Sequence, residues 1–236
     1  MTDSDRTGVG ADPDVEKIET EDGAVEDLLA SDTGGRNPGG IVGWIILAAA
    51  LTWSLFQLWI ASPFPYMTWT PSWLVFNSTD ARSYHLAFAI FLTFLAYPAS
   101  KTMPQLVLGV GVPVILCILF MTGAKDGTST WWIPIAGLIV VAAVLLGSPK
   151  DRVPVWEWAL ALIGAAAALY VYVNYDAISG RVGAPILTDI VVGVFGLIIL
   201  LEATRRSLGP ALMVVATVFL VYTVLGPHMP SIIAHK

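Results

Sequence analysis

The residues that could do chemistry are few and oddly placed. In the stretch LEATRRSLGP, at 201–210, Glu202, Arg205 and Arg206 stand between two apolar runs. Glu202 and Arg206 are four apart with the acid first, the favourable order for a helical ion pair. An exposed pair of this kind stabilises by about 0.3–0.5 kcal/mol, and bases between apolar runs also act as an orientation signal. Glu157 and Asp189 fall where helices begin; there the helix dipole favours an anion, so both read as helix-end stabilisers. Asp80, Asp126, Asp151 and Asp176 fall in connecting segments. No ionisable residue is expected at mid-span depth, where ion pumps and proton relays keep theirs.

His85, His228 and His235 lie at or beyond the ends of apolar runs, without ligand spacing on one helix, so no metal site is expected. Cys117 is the only cysteine, which excludes an intramolecular disulfide or a thiolate cluster and leaves a packing role. Every lysine sits in a connecting segment or terminus, so no deep Schiff-base lysine exists. The chain has no G-x-S-x-G, H-E-x-x-H, P-loop or C-x-x-C. No catalytic, cofactor-binding, metal-binding or substrate-binding residue is therefore expected, and the chain does not read as an enzyme.

The elements that carry these residues are apolar. The chain is 56% hydrophobic and 13% charged, with a mean hydropathy of +0.73; a soluble domain carries about 25% charged residues. The pattern implies an all-α integral membrane protein, a polytopic helical bundle. Seven spans are expected, near 41–61, 84–99, 105–121, 132–147, 155–175, 188–203 and 210–226. Thr188 and Ser207 are candidate helix caps, and Pro210 suits a first helical turn. Residues 1–39 hold eleven of the eighteen acids and three of the twelve bases. They read as a disordered acidic tail ahead of a transmembrane domain spanning 40–236. Such a tail argues against nucleic acid as a partner. It is also not a signal peptide, having no basic start leading into an apolar core.

With seven spans, the face shared with the amino terminus carries Arg36, Lys101, Lys150, Arg152, Arg205 and Arg206, against Arg82, Lys125, Arg181 and Lys236 opposite. The positive-inside rule then places the amino terminus in the cytoplasm and the carboxyl terminus outside. Trp131, Trp132, Trp156 and Trp158 open two spans, and Tyr170, Tyr172 and Tyr175 close one, as aromatic residues do at headgroup level. Gly164 among Ala161, Ala165, Ala166 and Ala168, and Gly193 with Gly196, allow close helix packing. No inverted repeat of the kind found in many stand-alone transporters is visible.

LLEATRRSLGPAL followed by FLVYTVLGPHMPSIIAH, at 200–212 and 219–235, resembles the small membrane region of TRAP transporter permeases, the tripartite ATP-independent periplasmic family. More narrowly it is similar to the fused permeases of the TAXI branch, in which an EATRR segment closes one helix and the next leads into the large permease domain. SYHLAFAIFLTFLAYPA, SPKDRVPVWEWALAL and RVGAPILTDIVVGV match more loosely. Residues 102–147 insert two spans where the family pattern is short, and the large domain that follows in fused relatives is expected on a separate polypeptide or a longer one.

The resemblance implies a small scaffold subunit of a secondary transporter for organic acids in a bacterial or archaeal inner membrane. Its partners would be a large permease subunit, a periplasmic TAXI-type binding protein and membrane lipid. The Na⁺ or H⁺ coupling ion would sit on the large subunit. Glu202, Arg205 and Arg206 would then face that subunit or the lipid headgroups. The residues alone also fit a self-contained membrane sensor or assembly factor that uses its acidic tail.

Overall fold

A computed structural model describes residues 35–36, 38–99, 102–123 and 129–226. The chain divides into two units, Met1–Gly35 and Arg36–Lys236, and every helix described belongs to the second. Almost all of the acidic tail, together with Lys101, Lys125, Asp126, His228, His235 and Lys236, lies outside the described residues. Eight α-helices are present among the described residues: α1 (Gly40–Ala61), α2 (Ser78–Ala96), α3 (Met103–Gly123), α4 (Ile133–Leu146), α5 (Val155–Val173), α6 (Tyr175–Ser179), α7 (Leu187–Ser207) and α8 (Pro210–Leu225). Two short 3-10 turns, Phe64–Tyr66 and Ser72–Leu74, lie between α1 and α2, and no strand occurs among the described residues.

Helix ends depart from the hydropathy pattern where polar side chains set them. Hydropathy starts the second span at residue 84, yet α2 begins at Ser78. Its start is a capping box: Asn77 Oδ1 accepts from the backbone N–H groups of Thr79 and Asp80, and Asp80 Oδ2 accepts from Asn77 N–H. Neither expected cap caps. Thr188 lies inside α7, whose first turn is closed instead by Asp189 Oδ2 accepting from Ile186 N–H at 3.0 Å. Ser207 ends α7, donating to the Ala203 carbonyl. The chain then turns at Gly209, whose φ of +86° disfavours any L side chain. Pro210 follows in the first turn of α8. Pro113 sits within α3, which continues through it.

The architecture is a helical membrane bundle. Four segments, all of α1, Met103–Thr122 of α3, and all of α5 and α7, are long and apolar enough to cross a bilayer. α4 and α8 are apolar but have 14 and 16 residues, below the ~20 that span a typical hydrocarbon core. The first two turns of α2 carry Asp80, Arg82 and His85. By length and composition, four of the seven expected spans qualify.

The core lies where α2, α3, α4, α5 and α7 meet, with Phe94, Leu95, Leu116, Val140, Leu160, Ala161, Ile198 and Ile199 almost fully buried. α1 buries no residue of its own, and α8 buries only Met213 and Thr217. Both present apolar flanks outward, among them Trp44, Leu51, Leu55, Val218 and Phe219. Such flanks match a lipid or protein environment rather than water.

Small residues decide how closely the inner helices approach. A Cβ on Gly164 of α5 would stand 2.6 Å from Ile90 Cγ2 of α2 and 2.8 Å from Ile199 Cγ2 of α7. A Cβ on Gly137 of α4 would clash with Cys117 Sγ of α3, which gives the lone cysteine its packing role. Gly164→Val is expected to destabilise by about 1–3 kcal/mol through overpacking. Gly193→Ala, on the open side of α7 with no heavy atom within 4 Å of the added carbon, is expected to be neutral or stabilising by up to about 1 kcal/mol. Thermal unfolding of both variants in detergent checks the contrast.

Candidate functional site

The charges of the EATRR stretch fold inward. The last two turns of α7 carry Leu201, Glu202, Ala203 and Arg205 into the bundle, all buried. Arg205 donates twice to Glu202, from Nε to Oε2 at 2.8 Å and from Nη2 to Oε1 at 2.7 Å. Arg206 donates from Nε to the same Glu202 Oε1 at 2.7 Å, completing the i,i+4 pair anticipated from spacing. That pair is buried, however: the side chains of Glu202 and Arg206 are 1% and 0% exposed, so the small value of an exposed pair does not apply.

Arg206 continues outward to a second helix. Its Nη1 donates to Glu157 Oε1 of α5 at 2.7 Å. Glu157 does stand in the first turn of α5, but its side chain is fully buried and bridges cations. Arg36, ahead of α1, pairs with Glu157 through Nη2 and also donates to Ser148, which in turn donates to Glu157. The same guanidinium donates to the carbonyls of Phe94, Leu95 and Pro149 at 2.9, 3.1 and 2.9 Å. The Arg36 backbone N–H donates to the Ala96 carbonyl as well. One arginine therefore satisfies the last, otherwise unpartnered carbonyls of α2 and closes the α4–α5 turn. Burial pulls its guanidinium below the ordinary arginine range, and Glu157 only partly offsets this.

The far side of the network reaches α3. Arg205 Nη1 donates to Gln105 Oε1 at 2.8 Å and lies 3.3 Å from the Gln105 carbonyl. Gly109, one turn along α3, makes room: a Cβ there would sit 3.3 Å from the Arg205 guanidinium and 3.0 Å from Val144. The Phe94 ring lies under the Arg206 guanidinium, 4.6 Å from its centroid, in cation–π contact.

Three guanidiniums and two carboxylates thus join the segment before α1 to α2, α3, α5, α7 and the α4–α5 turn. Each buried ion costs several kcal/mol to desolvate, and the mutual pairing offsets this only with good geometry. Nearly every donor here is engaged; among the described residues Arg206 Nη2 lacks a partner. The set is sealed from solvent, and its charged groups are spent on one another. Its chemistry is that of a clamp.

Asp189 does not join this set. Thirteen residues before Glu202 on α7, it lies about 20 Å away along the axis. There Arg181 donates to it from Nε at 3.0 Å and Nη2 at 2.8 Å, and the Tyr170 hydroxyl donates at 2.6 Å. The hydrogen bonds to Asp189 raise Arg181 above its ordinary range. The pair ties the connection after α6 to the start of α7.

Sequence reasoning missed Arg36, Gln105, Ser148 and the Arg181–Tyr170 pair. Arg36 carried a signal, as a single base placed between an acidic tail and an apolar run. Gln105 and Ser148 carried none, since their partners are distant in sequence. Among the described residues no three His, Cys, Asp or Glu side chains converge as metal ligands would. No family model, curated protein or solved structure matches the chain.

Charge balance ranks the consequences of breaking the network. Glu157→Gln or Glu202→Gln leaves three buried cations facing one anion, and each is expected to destabilise by about 3–5 kcal/mol. Arg36→Met leaves two cations with two anions, and its cost is mainly that of the lost carbonyl hydrogen bonds, about 1–3 kcal/mol. Thermal unfolding in detergent should give this order; equal, small losses at all three positions would contradict it.

Proposed function

We propose that this chain is the small scaffold subunit of a TAXI-type TRAP transporter, a membrane anchor for a large elevator-type permease subunit that moves organic acids on a Na⁺ or H⁺ gradient. The observation that carries the reading is the clamp itself. The EATRR segment, which gives the chain its resemblance to that family, is spent on fastening helices together, its two guanidiniums engaged by its own Glu202 and by Glu157 of α5. Together with the capping acids Asp80 and Asp189, this leaves the spanning helices as packing surfaces. A static frame of this kind suits an elevator's stationary part. Substrate and coupling ion then bind on the large subunit, delivered by a periplasmic TAXI-type binding protein, and this chain performs no catalysis.

The arrangement of helix ends supports a seven-span topology. The network gathers the segment leading into α1, the end of α2, the start of α3, the turn joining α4 to α5, and the end of α7. α8 starts immediately beyond it. α1, α2, α3, α4, α5, α7 and α8 therefore alternate in direction. The short α4 and α8 cross where the bilayer thins locally or where a partner covers their ends. With Arg36, Lys150, Arg152, Arg205 and Arg206 at the clamp end, the positive-inside rule sets that end in the cytoplasm of a bacterial or archaeal cell. The carboxyl terminus then lies outside. The exposed apolar flanks of α1 and α8 are the surfaces offered to the large subunit and to lipid.

Purification of this chain from its native membrane in mild detergent is expected to bring down a large multi-span partner. Liposomes holding this chain alone should show no organic-acid uptake under an imposed Na⁺ or H⁺ gradient. Uptake by the chain alone, or recovery without any such partner, would count against the assignment.

A further inference from the structure

Two adjoining cavities open along the seam between α5 and α7, running from the end of the bundle away from the clamp towards its middle. One, of about 370 Å³, is walled by α2, α5 and α7, with Leu86 and Ile90 facing Leu197 and Leu200. The other, of about 530 Å³, extends towards Tyr175 and Arg181. They share Ala167, Val171, Val192 and Gly193. Both volumes fall within the roughly 300–1,000 Å³ typical of ligand sites. Their walls are overwhelmingly apolar, and Gly193 holds them open, having no heavy atom within 4 Å of where its Cβ would be.

The smaller cavity has a polar mouth made of Thr79, Arg82 and Ser83. Arg82 is exposed and makes no ion pair or hydrogen bond among the described residues. The anions nearby are already committed. Asp80 is held in the capping box of α2. Asp189, on the wall of the larger cavity, accepts from Arg181, Tyr170 and Ile186. Asp176 lines neither cavity. The mouth therefore carries one uncompensated positive charge above an apolar cleft, and an arginine near a helix end extends its guanidinium to headgroup depth.

We infer that this cleft holds one phospholipid, its acyl chain along Ala167, Val192 and Gly193 and its phosphate on Arg82. Charge and shape both select that occupant. A basic residue at the rim of a pocket between spanning helices attracts an anionic headgroup, and a cleft with apolar walls below a polar mouth suits a hydrocarbon chain rather than a soluble anion. The assignment requires only that the bundle sit in a bilayer, so it stands or falls separately from the transporter reading.

Native mass spectrometry of the full chain tests it, with delipidated protein titrated by palmitoyl-oleoyl phosphatidylglycerol and, in parallel, by inorganic phosphate. Wild type is expected to retain one lipid at low excess and no phosphate. Gly193→Leu, which fills the cleft, should lose that retained lipid while unfolding at no lower temperature than lipid-free wild type. Arg82→Gln, at an exposed position, should weaken lipid binding about fivefold. Undiminished lipid retention by both variants, or absence of a retained lipid on wild type, would overturn the assignment. If Gly193→Leu unfolds early, Arg82→Gln alone decides: unchanged affinity would refute the site.

Discussion

Everything in this bundle depends on a charge network that a membrane protein would normally avoid. Glu157 and Glu202 are buried with Arg36, Arg205 and Arg206 at one end of the helices, where each desolvated ion must be matched or the fold loses several kcal/mol. Because Glu157 of α5 is matched by Arg206 of α7 and by Arg36 ahead of α1, the network ties these elements together in a way that apolar packing does not. Apolar side chains slide past one another at small cost, whereas charge-assisted hydrogen bonds are strong and directional. Arg36 adds a second function by covering the carbonyl ends of α2, groups that lipid cannot satisfy.

The rest of the packing follows from that anchor. Away from the clamp, contact is made by small residues: Gly164 lets α2 and α7 close on α5, and Gly137 lets α4 close on α3. Lipid offers no hydrophobic drive for helices to associate, so close backbone approach and dispersion carry the association. Where the small residues are not met by a partner, as at Gly193, a cleft remains. The result is a bundle tied together at its clamped end and cleft along one seam, with α1 and α8 as outward apolar flanks. The proposed scaffold role asks for a frame of this kind.

The sequence reveals the class of architecture but not its keystone. Long apolar runs announce a helical membrane protein, and the spacing of Glu202 and Arg206 announces an ion pair. Span limits are less legible, because hydropathy ignores polar caps: Asn77 and Asp80 start α2 six residues before its apolar stretch. Glu157 is visible as a first-turn acid, but its partner Arg206 lies 49 residues on and no local pattern links them. Arg36 reads along the chain as a base near a charged segment, whereas its contacts lie with residues more than 50 positions away. Burial of a polar group is a property of the assembled bundle, and periodicity on one helix does not encode it.

If the charges at the clamp act as a unit, a double-mutant cycle between Glu157 and Arg206 measures this most directly. Glu157→Gln, Arg206→Gln and the double variant would be compared by reversible unfolding in detergent. A clamp predicts strong non-additivity, with a coupling free energy of about 1–3 kcal/mol. Additivity within about 0.3–0.5 kcal/mol would contradict it, reducing the two residues to independent neighbours.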